Sequence, residues 1–323
     1  MTEARKLFSI ASALLVCLVV GSAEAQTPVR IFSGYPPGGA VDALARTFAE
    51  KLGEALEKPV VVETRTGAAG QIAASALKAS APDGNTLMVV PDSALTLYPH
   101  TVKTPAYDTL NDFVPVANLG SYDIGFGVGA NVPATTLKEW AAWVKSNPRN
   151  GTYGSPGAGT NQHFLGLMLG NATGLHLDHV AYRGVGPAVA DLLGGQVPAL
   201  MLPLAQMLPQ IKSGKIRILA HSGGRRSAVV PDVPTFKELG FSAMEVSGWY
   251  CMIAPAGTRP EVLARYNDIV NRSMRTASVR DRMRALDLEI LEMSPADIAA
   301  RLKAEHERWR PIVKASGFTA DSQ

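Results

Sequence analysis

Charge is scarce in this chain. Only 18% of its 323 residues are Asp, Glu, Lys or Arg, and 31 basic against 28 acidic residues leave a formal charge of +3. So small an excess over this length is no electrostatic footprint for nucleic acid. With 46% hydrophobic residues, it also excludes an intrinsically disordered chain. Aromatic residues are few at 7%, and there are two cysteines, Cys17 and Cys251. Two cysteines exclude a disulfide-stapled scaffold, so stability must come from apolar cores. The 30 glycines and 22 prolines are dispersed without a period, which excludes collagen and a linker-rich chain. The length exceeds what one hydrophobic core usually serves, so two lobes are expected.

Long apolar runs are absent except at the start. Arg5 and Lys6 precede an apolar run from Leu7 to Val20, and Ala23-Glu24-Ala25 follows. A basic segment, an apolar segment and small residues where a signal peptidase reads make residues 1–25 an export signal. The run is shorter than the roughly 20 residues that cross a bilayer. Val16 before Cys17 argues against a lipoprotein signal, which needs a small residue there. Cleavage after Ala25 removes Cys17 and leaves Cys251 alone, so no internal disulfide is expected. The mature chain is expected to be soluble.

The remaining chain alternates short apolar runs with amphipathic segments. Val29 to Ser33 reads as a strand, and Val41 to Leu56 as a helix ended by Pro59. Val60 to Val62 reads as a buried strand, Gly67 to Ser80 as an alanine-rich helix, and Leu87 to Val90 as a strand. Similar alternation resumes between Thr136 and Ala220. Arg259 to Thr276, Val279 to Leu286 and Pro295 to Val313 read as amphipathic helices. Such alternation argues for a parallel α/β architecture. Asn118 to Val128 and Ala243 to Ala254 look extended and flank the middle region, as two chain crossings between lobes would.

Two glycine loops each sit between a strand and a helix: Tyr35-Pro36-Pro37-Gly38-Gly39-Ala40-Val41-Asp42, and Ser155-Pro156-Gly157-Ala158-Gly159-Thr160-Asn161-Gln162-His163. Free N–H groups at a helix start, with about half a positive charge from the helix dipole, attract an anion. The competing reading is a pair of ordinary capped turns, with Asp42 and Thr160 as caps. Neither loop carries a dinucleotide or phosphate-loop spacing. A hydrolase reading of Ser155 with His163 lacks the Gly-x-Ser-x-Gly spacing. Pro156 also removes an N–H that such an oxyanion hole needs. The histidines form no ligand-spaced cluster, so no metal is expected. Cys251, in an apolar run, reads as a small buried hydrophobe.

Taken together, these motifs resemble the substrate-binding receptors of tripartite tricarboxylate transporters, the Bug family. The resemblance also rests on Pro59-Val60-Val61-Val62-Glu63, Gly67-Ala68-Ala69-Gly70, Ala81-Pro82-Asp83-Gly84, Tyr182-Arg183-Gly184 with Pro187-Ala188, Asp191-Leu192-Leu193-Gly194-Gly195-Gln196-Val197, Pro231-Asp232-Val233-Pro234-Thr235 and Ala254-Pro255-Ala256-Gly257-Thr258. It implies a type II-like, two-lobe periplasmic binding protein of Venus-flytrap form, with two crossing strands between lobes. Lobe one would comprise residues 26–123 and 248–323, and lobe two 124–247. It implies capture of a small carboxylate without catalysis or cofactor, and delivery to integral membrane permease subunits by a monomeric periplasmic protein.

On that reading Tyr35, Gly38, Gly39 and Asp42 frame one end of the ligand, with Ser93 and Ala94 on the loop after the Val90 strand. Ser155, Gly159, Thr160, Asn161 and His163 frame the other end, and Arg183 and Gly184 reach the cleft. Leu202 is an apolar wall candidate, and Trp249 either a wall or hinge packing. The family often carries acidic residues where Pro198 and Leu202 stand here. Leu202 cannot pair with an ammonium, which points to a carboxylate without an amine and with an apolar or aromatic middle. A secreted hydrolase using Ser155 and a ligand sensor for a signalling receptor are the alternatives.

Overall fold

The computed structural model describes residues 27–322. The export signal and Cys17 lie outside the described residues. The chain begins with β1 (Val29–Ser33), α1 (Ala40–Leu56), β2 (Val60–Thr64), α2 (Gln71–Lys78) and β3 (Thr86–Pro91). Short helices α3 (Asp92–Thr96) and α4 (Thr109–Asp112) lead into the 17-residue strand β4 (Phe113–Gly129). Next come α5 (Leu137–Ser146), β5 (Thr152–Ser155), α6 (Asn161–Thr173), β6 (Asp178–Ala181), α7 (Val185–Leu193) and β7 (Ala199–Pro203). α8 (Leu208–Lys212), β8 (Ile216–His221) and β9 (Ser247–Pro255) precede the last three helices. These are α9 (Pro260–Met274), α10 (Ala277–Ala285) and α11 (Pro295–Ser316).

The strand order is β2-β1-β3-β9-β4-β7-β5-β6, with β8 also on β4. β1 pairs parallel with β2 and β3, and β5 pairs parallel with β6 and β7. The sheet as a whole is mixed, because β9 runs antiparallel to β3 and β4, and β4 antiparallel to β7 and β8. β4 changes partner midway. It pairs with β9 from Phe113 to Asp123, and with β7 from Ile124 to Val128. β4 and β9 therefore join the two halves of the α/β fold.

Local sequence explains the elements. On α1, Val41, Leu44, Ala45, Phe48 and Leu52 share the buried face. Thr136 with Glu139, and Ser294 with Asp297, form reciprocal capping boxes that start α5 and α11. β2 is not the buried strand its triple valine suggests. It is an edge with one neighbour, and Val61 is 42% exposed.

Fully buried residues such as Trp140, Phe126, Phe48 and Leu52 form the cores. Burying such a side chain is worth about 1.5–3 kcal/mol. An exposed ion pair such as Arg284–Asp281 adds only about 0–1 kcal/mol. The apolar cores therefore decide stability. Cys251 is a buried free thiol. Among the described residues no helix is long and apolar enough to cross a membrane.

Candidate functional site

Both glycine loops lie at the C-terminal ends of parallel strands, one in each half. After β1, Tyr35 is anchored by its hydroxyl, which donates to the Ala69 carbonyl at 2.9 Å. Gly38 takes φ 86°, a left-handed conformation that glycine adopts without strain. Its N–H donates to Asp42 Oδ2 at 3.1 Å. Asp42 is buried and also accepts from Arg46 Nε at 3.0 Å. Burial pushes its carboxyl up, but the hydrogen bonds from Arg46 and Gly38 outweigh this and hold it below its ordinary value. Asp42 supports the loop from within. No side chain caps Gly39 at the start of α1.

The second loop is supported by two histidines. Thr160 Oγ1 accepts from His163 N at 3.3 Å, and Gly159 N donates to His163 Nδ1 at 3.2 Å. His163 stacks on His179 with ring centroids 3.9 Å apart. Burial pushes His163 down to about 4, and burial with its neighbour pushes His179 down to about 3, so both rings are neutral near pH 7.

Ser155 Oγ donates to the Gly157 carbonyl at 2.9 Å and meets His179 Nε2 at 2.7 Å. The hydroxyl thus ties the second loop to His179. Its partner is His179, not the His163 of the hydrolase reading. Ser155 is fully buried.

The loops face each other across a cavity of about 490 Å³. Seven candidates from the sequence line it: Tyr35, Gly38, Gly39, Ser93, Thr160, Arg183 and Gly184. Ser93 comes from α3 rather than from a loop. The other eight do not line it. Asp42, Ser155, Gly159 and His163 are buried parts of the loops that face away from the cavity. Ala94 is packed in the core, where its carbonyl accepts from the Tyr107 hydroxyl. Asn161 is buried against Asp92.

Leu202 and Trp249 are each displaced from the wall by one residue. Successive residues of a strand face opposite sides. Leu202 enters the core of the second half, while Pro203 reaches the cavity. Trp249 turns to α11, donating from Nε1 to Glu305 at 2.6 Å, while Tyr250 reaches the cavity. Tyr122, Gln162, Gln206 and Tyr250 are lining residues that the sequence reading missed. Strand alternation beside Trp249 was the one available signal, and it pointed to Tyr250.

Arg183 is the single charged residue on the wall, and no Asp or Glu lines it. Tyr35, Tyr122 and Tyr250 supply ring surface, and burial raises all three hydroxyls above their ordinary range. A larger groove of about 1060 Å³ opens beside the crossing strands, between residues 224–231 and 280–290. Its arginines are largely engaged already, Arg225 with Glu289, Arg226 with Glu238 and Arg284 with Asp281. The smaller cavity is the better site, because the starts of α1, α6 and α7 converge there. Among the described residues no three His, Cys, Asp or Glu side chains are grouped to hold a metal ion.

The model of the family described as "Tripartite tricarboxylate transporter family receptor" matches residues 44–318. The chain belongs to that receptor family. BugT of Bordetella pertussis is 31% identical to this receptor over 309 residues, covering 95% of each chain. MatC from Rhodopseudomonas palustris, solved with bound malate, has a TM-score of 0.81 at 29% identity and covers 88% of the receptor and 98% of its own chain. An R. palustris protein solved with adipate has a TM-score of 0.85 at 27% identity, covering 91% and 99%. The receptor shares their bilobed fold, with the cleft between its halves.

Proposed function

We propose that this receptor captures a small organic carboxylate without an amino group in the periplasm and passes it to the integral membrane subunits of a tripartite transporter. The observation that carries this reading is the wall of the cleft: the starts of α1, α6 and α7, one arginine and no carboxylate. Unpaired N–H groups at the starts of α1 and α6 suit an anion, and Arg183 adds the one full positive charge. An ammonium would need a carboxylate partner that the wall does not offer. This restores, on the cavity as a whole, the specificity that Leu202 alone does not support. The prolines at 36, 37, 91, 156, 187 and 203 and the three tyrosines suit an apolar or aromatic ligand body. The volume falls within the roughly 300–1,000 Å³ of small-molecule sites. Malate and adipate in the related structures support the carboxylate class.

In this reading residues 26–123 and 248–323 form lobe one and residues 124–247 lobe two. A ligand touching both loops binds the closed form better than the open one and so shifts the receptor toward closure. Calorimetry against malate, adipate, benzoate, aspartate and glutamate tests the proposal. Binding of at least one amine-free acid, with none of the amino acids, is expected. Tight binding of aspartate or glutamate alone would refute it. N-terminal sequencing of the periplasmic protein should begin at Gln26, and an intact Met1 would refute the cleaved signal.

A further inference from the structure

We propose that Asp92 and Asn161 form a positioning pair that sets the spacing of the two halves of the ligand site. Neither lines the cavity, yet each sits between two residues that do. Asp92 is flanked by Pro91 and Ser93, and Asn161 by Thr160 and Gln162. Asn161 Nδ2 donates to Asp92 Oδ2 at 2.8 Å. Trp249 N–H donates to Asp92 Oδ1 at 3.1 Å, and its neighbour Tyr250 also lines the cavity. One carboxylate thus ties three wall segments together, two from lobe one and one from lobe two.

Both side chains are 1% exposed. Asn161 Oδ1 is buried without a hydrogen-bond partner. An amide with one end unsatisfied is a poor choice for packing alone, since an apolar residue would avoid that desolvation cost. What the amide supplies is the bond to Asp92. A hydrogen bond to an ionised acceptor is shorter and stronger than a neutral one. The groups around Asp92 are Glu305 and Arg301 on α11, the hydroxyls of Tyr35, Tyr122 and Tyr250, and the Cys251 thiol. Burial, followed by Glu305, pushes the Asp92 carboxyl up, while the hydrogen bonds from Asn161 and Trp249 and the charge of Arg301 favour its ionised form.

The inference rests on the reading of the receptor as a two-lobed, closing protein. It is tested by spin-label distances between Glu54→Cys on α1 and Lys145→Cys on α5, both exposed, while native Cys251 is buried. In the ligand-free protein Asn161→Ala should lengthen and broaden the interlobe distance. It should also weaken the tightest carboxylate of the calorimetric panel by roughly tenfold. Asn161→Asp serves as the second variant. At about pH 8 two facing carboxylates should open the lobes further, and at about pH 5 a shared proton should restore wild-type distances. A merely structural role would not produce that pH-dependent rescue. Wild-type distances in both variants at both pH values would overturn the pair. If wild type binds no acid of the panel, the ligand reading fails, and the distances still decide the role of Asp92 and Asn161.

Discussion

The rings of Tyr122 and Tyr250 stack with centroids 4.9 Å apart, joining the two crossing strands at the cavity wall. Tyr122 lies directly over Gly248, where an added Cβ would come within 2.3 Å of its ring. The ring is buried and cannot step aside freely. Gly248→Ala should therefore displace Tyr122, cost about 1–3 kcal/mol of stability and weaken binding together. Denaturant unfolding and calorimetry on the same sample check this. Unchanged stability would show that the ring adapts.

Gly39→Val should do the opposite, blocking the ligand while sparing the fold. The backbone there is extended, with φ −82° and ψ 174°, and an added Cβ meets only the Pro36 carbonyl, at 3.7 Å. Its larger branches would cover the free N–H groups at the start of α1. The melting temperature should stay at the wild-type value while calorimetric heats vanish. Wild-type affinity would place the anion elsewhere.

Arg183 is exposed and is the only charge on the wall. Arg183→Gln should reduce affinity for a carboxylate by roughly tenfold and flatten its dependence on salt, with no change in melting temperature. Titrations at low and high ionic strength measure both. Equal salt dependence in the two proteins would remove Arg183 from the site.

The His163–His179 stack predicts acid sensitivity. Both folded-state values lie below the ordinary histidine value of 6.5. Stability from the neutral pair is therefore fully present above about pH 6.5 and is lost as pH falls toward about 4. Asp92, raised to about 7, acts in the opposite sense. The informative quantity is therefore the difference between wild type and His179→Gln. Denaturant unfolding from about pH 7 to pH 4 should show a shallower loss in the variant. Parallel curves would mean that the pair does not titrate in this range.

Much of the fold was legible because it rests on local chemistry. The helical spacing of Val41, Leu44, Phe48 and Leu52 and the glycine loops after β1 and β5 are written in neighbouring residues. So was the presence of two extended crossings. Their direction was not legible, because strand pairing depends on partners more than 100 residues away. The edge position of β2 was hidden because its valines do not tell whether a second strand covers its far side.

By itself the sequence determined a two-lobed α/β chain with two anion-suited loops and little charge. Tertiary structure alone decided which side chains face the cavity. Alternation along β7 and β9 turned Pro203 and Tyr250 inward in place of Leu202 and Trp249. Packing placed Asp92 against Asn161 across 69 residues of chain. Adjacency in sequence does not choose the face of a strand, and only the packed sheet does.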